Sequence, residues 1–268
     1  MDSNTGFGLS NPTMAKYALS CGYFIFYRKV RYIEAYKHIS AWQRLFLTKR
    51  EWVLMESGLL RKLADKSITK EELLLKVERN FDLLPEVLDG VSSSIPAIRY
   101  GCAKVLMDLS EKFPEKLYPY FDSFVDLLDS NHRILTWNAM GIIANLAKVD
   151  RNHKFDAIFD KYYNFLDDEY MVTVANVVGY SGKIALAKPH LTQKITDELL
   201  KVENISTTPH LTEECKRVIA EKTIESLDLF FDRINTKDKV ISFVKRRLNS
   251  PRKTLKTKAE TFLRKWNK

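Results

Sequence analysis

The sequence lacks the short motifs that identify most enzymes and cofactor-binding domains. No GxSxG, GxxxxGK(S/T) or GxGxxG motif occurs in its 268 residues, which excludes the usual signatures of a nucleophilic serine and of nucleotide phosphate binding. The five histidines form no HxxxH or HxxEH spacing, and there is no CxxC pair. The local spacings typical of zinc ligands are therefore missing. We expect no catalytic residue, no cofactor and no metal site.

Cysteine, glycine, proline and long apolar runs are also scarce. The three cysteines are odd in number and far apart, which is typical of a reduced compartment, so we expect a cytoplasmic protein. Nine Gly and eight Pro argue against low-complexity tracts. No run of 18 apolar residues is present, so no membrane-spanning helix is expected.

What the chain does contain is a two-helix pattern that recurs every 37 to 38 residues between about Phe81 and Ala185. The apolar residues of each second helix fall at i, i+4, i+7 and i+11, which places them on one helical face; they are Ile98, Cys102, Val105 and Leu109, then Leu135, Ala139, Ile142 and Leu146, then Thr173, Val177, Tyr180 and Ile184. The first helices share a second spacing, in Leu84, Leu88 and Val91, then Phe121, Val125 and Leu128, then Phe159, Tyr163 and Leu166.

Turn signals support the same division. Polar residues join the two helices of each copy at 92–94, 129–131 and 167–169, where Ser, Asp and Asn are favoured as helix caps. Further helices are predicted over about 194–202, 211–231, 240–248 and 255–266, and Thr69 with Glu72 forms a capping box before the repeats. We predict an all-α protein whose residues 55–268 form a right-handed α-α superhelix of about four to six antiparallel helix pairs.

Three segments, 98–106, 175–185 and 249–259, resemble second helices of the HEAT-repeat family, which is of armadillo type. The resemblance covers roughly residues 70–268. It departs from the family pattern at Thr136 and Val174, where a basic residue is usual early in the second helix. The resemblance implies partner binding, and it carries over no catalytic residue.

Residues 1–54 differ from the rest and are predicted to be a separate segment. They hold eleven of the 31 aromatic residues and do not join the repeat. One hypothesis is that they form a helical cap over the open apolar face of the terminal repeat, using Tyr36, Trp42, Leu45 and Phe46. The other is that the natural start is Met55, so that residues 1–54 are a non-native extension.

Charge is spread unevenly along the chain. Residues 1–54 contain eight Lys or Arg against three Asp or Glu, residues 237–268 contain twelve against two, and residues 55–236 contain 23 against 29. The formal net charge of +9 therefore comes from two basic ends on a mildly acidic scaffold.

Candidate partner-binding residues lie on the second helices. Tyr100 and Trp137 occupy equivalent positions, and Trp and Tyr are common interface anchors; nearby polar contacts would come from Arg99, Arg133 and Asn138. The alternative is that the two rings pack between neighbouring repeats.

Candidate anion-binding residues lie near the C-terminus: Lys245, Arg246, Arg247, Arg252, Lys253 and Lys256. A cation at a helix C-terminus is favoured by the helix dipole, whereas Arg252, Lys253 and Lys256 precede or begin a predicted helix, where that dipole opposes them. These residues either bind an anion or form a solvated terminal cap.

The absence of catalytic motifs and the presence of a repeat together favour one function. We expect a non-catalytic scaffold that binds a protein or peptide along its second helices. The alternative is nucleic-acid binding, specifically DNA, through the basic terminal helices. A HEAT-like DNA-repair enzyme is disfavoured because the repeat body is net acidic and carries no catalytic Asp in a matching motif.

Overall fold

The computed structural model describes residues 58–266. The segment 1–54 and both hypotheses about it lie outside the described residues. Within 58–266 the chain is built from helices and turns, and the one isolated bridge, between Thr208 and Leu211, belongs to no strand.

Five helix pairs follow one another along the described chain, within the predicted range of four to six. Two helices precede them, α1 (Gly58–Ala64) and α2 (Lys70–Arg79). We call the pairs repeats 1 to 5 and give the first helix before the second. Repeat 1 is α3 (Leu84–Gly90) with α4 (Pro96–Lys112), repeat 2 is α6 (Phe121–Asp126) with α7 (Arg133–Leu146), and repeat 3 is α9 (Phe159–Tyr163) with α10 (Met171–Ala187). Repeat 4 is α11 (Thr192–Leu200) with α12 (Glu213–Phe230), and repeat 5 is α13 (Lys237–Lys245) with α14 (Lys253–Trp266). Short helices α5 (Pro114–Leu117) and α8 (Lys154–Ala157) precede the first helices of repeats 2 and 3.

Each second helix packs on the next one. The contacts run from α4 to α7, from α7 to α10, from α10 to α12 and from α12 to α14. A repeat therefore contacts its neighbours in sequence, which is the defining property of a solenoid. The all-α superhelix predicted from the 37- to 38-residue period is confirmed.

The predicted apolar stripes form the core between these helices. Ile98, Leu135 and Thr173, the first residues of the three stripes, are each at most 3% exposed. Tyr180 is the exception, because it is only half-buried. Its ring lies over Gly141, where an added Cβ would come within 2.8 Å of Tyr180 Cζ. Met107 Cε of α4 would lie nearer still, so the missing side chain of Gly141 makes room for side chains from both neighbouring second helices.

Local signals place the helix ends where the sequence predicts them. Thr69 Oγ1 accepts a hydrogen bond from Glu72 N (3.1 Å) and Glu72 Oε2 accepts one from Thr69 N (2.8 Å), so the capping box is formed. Pro96 starts α4, and Pro114 and Pro189 follow the ends of α4 and α10. Proline is tolerated at a first helical position because its missing N–H has no intrahelical partner there.

A buried ion pair joins the turns that follow successive second helices. Asp150, after α7, and Lys188, after α10, have side chains that are 0% and 4% exposed, and Lys188 Nζ lies 2.8 Å from Asp150 Oδ2. Tyr118 donates to Asp150 Oδ1 (2.6 Å), and the backbone N–H groups of Lys154 and Phe155 donate to the two carboxylate oxygens (2.9 Å each). Lys188 Nζ also donates to the carbonyl oxygen of Asp150 (2.8 Å). The carboxylate is therefore fully hydrogen-bonded, which is the condition under which a buried charge is tolerated.

These contacts determine the ionisation of Asp150. Burial alone would raise its pKa, but hydrogen bonds from Lys188, Tyr118 and the two backbone N–H groups outweigh that effect and hold the pKa of Asp150 below its usual value. The carboxylate is thus charged in the folded protein at neutral pH.

We predict that Asp150→Ala lowers the free energy of unfolding by about 3–5 kcal/mol, because it leaves the Lys188 ammonium buried and unpaired. Urea unfolding measures the loss. Asp160→Ala is the matched control, since the Asp160 side chain is 83% exposed and its pair with Lys194 is worth at most about 1 kcal/mol. Equal losses in the two variants would contradict a structural role for the buried pair.

We also predict that the stability difference between the wild type and Asp150→Asn depends on pH. Because the folded-state pKa of Asp150 lies below its unfolded value, its stabilisation is complete above about pH 4 and is lost as the pH falls through the folded pKa. The difference should stay constant between about pH 7 and 5 and shrink below about pH 4. Urea titrations at each pH test this, and a difference that widens in acid would contradict it.

Candidate functional site

The predicted partner-binding residues lie at the starts of two neighbouring second helices. Arg99 and Tyr100 are half-buried near the start of α4, and Trp137 and Asn138 are half-buried near the start of α7. Arg133 is the first residue of α7 and is exposed. The solenoid therefore brings the five residues to one edge of adjacent helices.

Arg99 holds the turn before its own helix. Its Nη1 donates to the carbonyl oxygen of Ser93 (2.9 Å), its Nη2 donates to the Tyr100 hydroxyl (3.3 Å), and its guanidinium lies 4.8 Å from the Tyr100 ring centre. The guanidinium is thus largely engaged within repeat 1. Its Nε is buried and has no hydrogen-bond partner in the described structure.

Both aromatic residues reach into the following repeat. The Tyr100 ring meets His132 edge to face, with 6.3 Å between ring centres. Trp137 Nε1 donates to Thr173 Oγ1 on α10 (3.1 Å). Each ring packs against its neighbour, as the alternative reading of these positions predicts, and each also keeps part of its surface open to solvent.

A chain of contacts that begins at Arg133 crosses from repeat 2 to repeat 4. Arg133 Nη1 lies 3.2 Å from both carboxylate oxygens of Asp168, and its guanidinium lies 3.6 Å from the ring centre of Tyr170. Tyr170 in turn stacks on His210 of repeat 4, with ring centres 4.2 Å apart and planes 9° apart. The result is a continuous row of cationic and aromatic groups across the starts of α7, α10 and α12.

Two sets of residues on the same edge were missed by the sequence analysis. Asn176 occupies on α10 the place of Asn138 on α7, 38 residues earlier, and its half-buried amide makes no hydrogen bond in the described part of the chain. Ile95, Ile134 and Val172 stand near the starts of α4, α7 and α10 and are 41%, 43% and 43% exposed. The repeat period relates Asn138 to Asn176 and Ile134 to Val172, each 38 residues apart, whereas Ile95 falls at the position of His132 and is not found by it. We call Tyr100, Trp137, Asn138, Asn176 and these three apolar residues the second-helix surface.

Four of the six predicted anion-binding residues are engaged by carboxylates. Arg246 and Arg247 both contact Glu203, at 2.6 and 2.8 Å, and Lys256 lies 4.0 Å from Glu260. Arg252 contacts Glu214 at 2.6 Å and Glu221 at 2.8 Å. Lys245 and Lys253 are exposed and form no ion pair within residues 58–266. Arg252 thus joins repeat 5 to repeat 4, although it precedes α14 at the helix end that repels cations.

The arginines lower the pKa values of the carboxylates that they contact. Hydrogen bonds from Arg246, and then from Arg247, lower the pKa of Glu203 despite its partial burial. Hydrogen bonds from Arg252 and Arg217 lower the pKa of Glu214. Both carboxylates are therefore charged at neutral pH. An anion would have to compete with them for Arg246, Arg247 and Arg252.

The fold has known counterparts among solved structures. No family model matches the chain, and no curated protein matches it. The designed armadillo repeat protein YIII(Dq)4CqI is similar, with a TM-score of 0.54 and 16% identity over 83% of this chain and 96% of that one. The designed armadillo repeat protein YIII(Dq.V1)4CPAF, in complex with the peptide (KR)4, has a TM-score of 0.54 and 14% identity over 81% and 97%.

At these identities the likeness shows the fold alone. The chain has an armadillo/HEAT-like repeat fold, as its resemblance to HEAT repeats implies. Among the described residues, no helix is long and apolar enough to cross a membrane.

Freeing Arg252 tests the predicted anion-binding cluster. We predict that the double variant Glu214→Gln, Glu221→Gln elutes from heparin at higher salt than the wild type, because the released guanidinium then pairs with sulfate groups. Elution salt concentration is the measurement. The double variant Glu115→Gln, Asp126→Asn has the same charge change on α5 and α6, at exposed carboxylates that pair with no Lys or Arg within residues 58–266. An equal shift there would show that net charge alone is responsible.

Proposed function

We propose that the protein is a non-catalytic scaffold that binds an extended peptide segment of a partner protein along the second-helix surface. The observation that carries this proposal is the repetition of half-buried side chains at one edge of consecutive helices, with Trp137 and Asn138 on α7 and Asn176 on α10. Solenoids use such extended surfaces for binding.

The asparagine pair suits the backbone of an extended chain. An Asn side chain offers one acceptor and two donors, which can pair with both backbone groups of a peptide. Asn138 uses one donor for the carbonyl oxygen of Ile134 (2.7 Å) and keeps the remainder. Packed helix axes are about 8–10 Å apart, which corresponds to about three residues of extended chain.

The exposed apolar residues indicate what the partner presents. Ile95, Ile134 and Val172 lie near the starts of successive second helices, and Tyr100 and Trp137 are partly open. A segment with apolar side chains would cover this row and remove it from water. The solved complex of a designed armadillo repeat protein with the peptide (KR)4 supports a peptide as the class of partner for this fold.

The alternative of DNA binding gains no support from the described residues. Arg246, Arg247 and Arg252 are engaged by Glu203, Glu214 and Glu221. Phosphate contacts require cations that are available to replace counterions, and these three are already paired.

Selection from a phage-displayed library of random peptides tests the proposal. Peptides that bind the full-length protein should bind the Asn138→Ala, Asn176→Ala variant at least about tenfold more weakly, since two backbone-pairing amides correspond to about 1.4 kcal/mol or more. Fluorescence anisotropy of labelled peptides measures the affinities. Alanine is the best helix former, so both helices should stay intact.

The matched control changes two side chains on first helices, Lys161→Ala and Lys194→Ala, and should leave the peptide affinity unchanged. Failure to select any binding peptide, or binders that are weakened by the control and not by the asparagine variant, would contradict the proposed surface.

A further inference from the structure

His153, Asp156 and His190 form a cluster outside the second-helix surface. His153 lies in the turn after repeat 2, Asp156 lies on α8, and His190 lies in the turn after α10. His153 and His190 are 37 residues apart, so they occupy equivalent turns of neighbouring repeats. The solenoid brings their rings together, with centres 5.4 Å apart.

The Asp156 carboxylate lies between the two imidazoles. His153 Nδ1 is 2.6 Å from Asp156 Oδ2, and His190 Nε2 is 3.1 Å from both carboxylate oxygens. All three potential ligand atoms lie within 4.8 Å of one another. The side chains are 64%, 27% and 49% exposed in chain order, so solvent reaches the cluster.

Nearby cations do not neutralise this carboxylate. No Lys or Arg pairs with Asp156 within residues 58–266, and its contacts there are the two histidines. Lys154, two residues earlier, instead contacts Asp122 at 2.7 Å. The carboxylate therefore faces two imidazoles and pairs with no Lys or Arg within residues 58–266. This arrangement suits a cation that accepts both nitrogen and oxygen ligands.

We propose that His153, Asp156 and His190 bind a divalent transition-metal ion, with Zn²⁺ as the expected ion. Zinc binds imidazole nitrogen and carboxylate oxygen at about 2.0–2.2 Å in tetrahedral geometry, which separates ligand atoms by about 3.3 Å. The observed spacings of 2.6 and 3.1 Å are about 0.7 and 0.2 Å shorter than that value. The three side chains must move apart to admit the ion, and each is at least 27% exposed and has room to rotate.

The ion would link the same two turns as the buried pair of Asp150 and Lys188. His153 follows Asp150 by three residues, and His190 follows Lys188 by two.

Three protein ligands leave a fourth tetrahedral position for water. In the described structure the second ring nitrogens, His153 Nε2 and His190 Nδ1, bond to no protein group. Hydrogen bonds from the second ring nitrogen of a ligand histidine strengthen metal binding, and they are missing among the described residues. We therefore expect an ion that exchanges readily. While bound, it would stiffen the boundary between repeats 2 and 3.

Isothermal titration of the chelator-treated full-length protein with Zn²⁺ tests the site. Single variants His153→Gln, Asp156→Asn and His190→Gln should each weaken zinc binding at least tenfold. His210→Gln is the matched control, because His210 is also exposed in the described structure but stacks on Tyr170 away from the cluster, and it should bind zinc as the wild type does. Far-UV circular dichroism checks that every variant is folded.

A second measurement separates this site from zinc bound elsewhere on the chain. Saturating Zn²⁺ should raise the melting temperature of the wild type and of His210→Gln, because a ligand that binds only the folded state stabilises it. The double variant His153→Gln, His190→Gln should show no such rise. Zinc affinity in the double variant within twofold of the wild type, or no zinc binding by the wild type, would overturn the proposal; in that case the three side chains form only a hydrogen-bonded cluster.

Discussion

Packing of each second helix on the next is the constraint on which this structure depends. A solenoid repeat cannot bury its apolar face alone, so each second helix must be held in register with the next. Helix packing provides most of the buried area, but apolar contacts are non-directional. The hydrogen-bonded pair of Asp150 and Lys188 is directional, and it links the turn after α7 to the turn after α10. Replacing either partner leaves the other charge buried and unpaired.

The same geometry divides the polar residues into two groups. At the ends of the second helices, Asp150, Lys188 and the histidine cluster join neighbouring turns. At the starts of the second helices, Arg133, Tyr170 and the second-helix surface form a row. Asp150 and Lys188 are buried between two repeats and stabilise the stack, whereas the histidine cluster joins the same two turns at the surface. The second group also contacts neighbouring repeats but keeps exposed atoms, so it is available to a partner.

The repeat and its helices could be predicted because they depend on local patterns. Apolar stripes, proline positions and the capping box of Thr69 and Glu72 are all readable within one turn or one helix. The histidine cluster could not be found that way, since metal-ligand spacings describe residues close in sequence, whereas His153 and His190 meet only because one repeat stacks on the next. Asn176 repeats Asn138 after 38 residues, but the aromatic residues that mark this face, Tyr100 and Trp137, have Ala175 as their equivalent on α10.

Packing and binding need not compete at the same residue. Trp137 donates its indole N–H to Thr173 of the next repeat, and this bond restricts the ring to one orientation. A ring that is already ordered loses little conformational entropy when a partner covers its open side. The contacts between repeats therefore make the second-helix surface more rigid before any partner arrives. If the second-helix surface binds the proposed peptide, Trp137 would anchor it at a lower entropic cost than a freely rotating surface ring would.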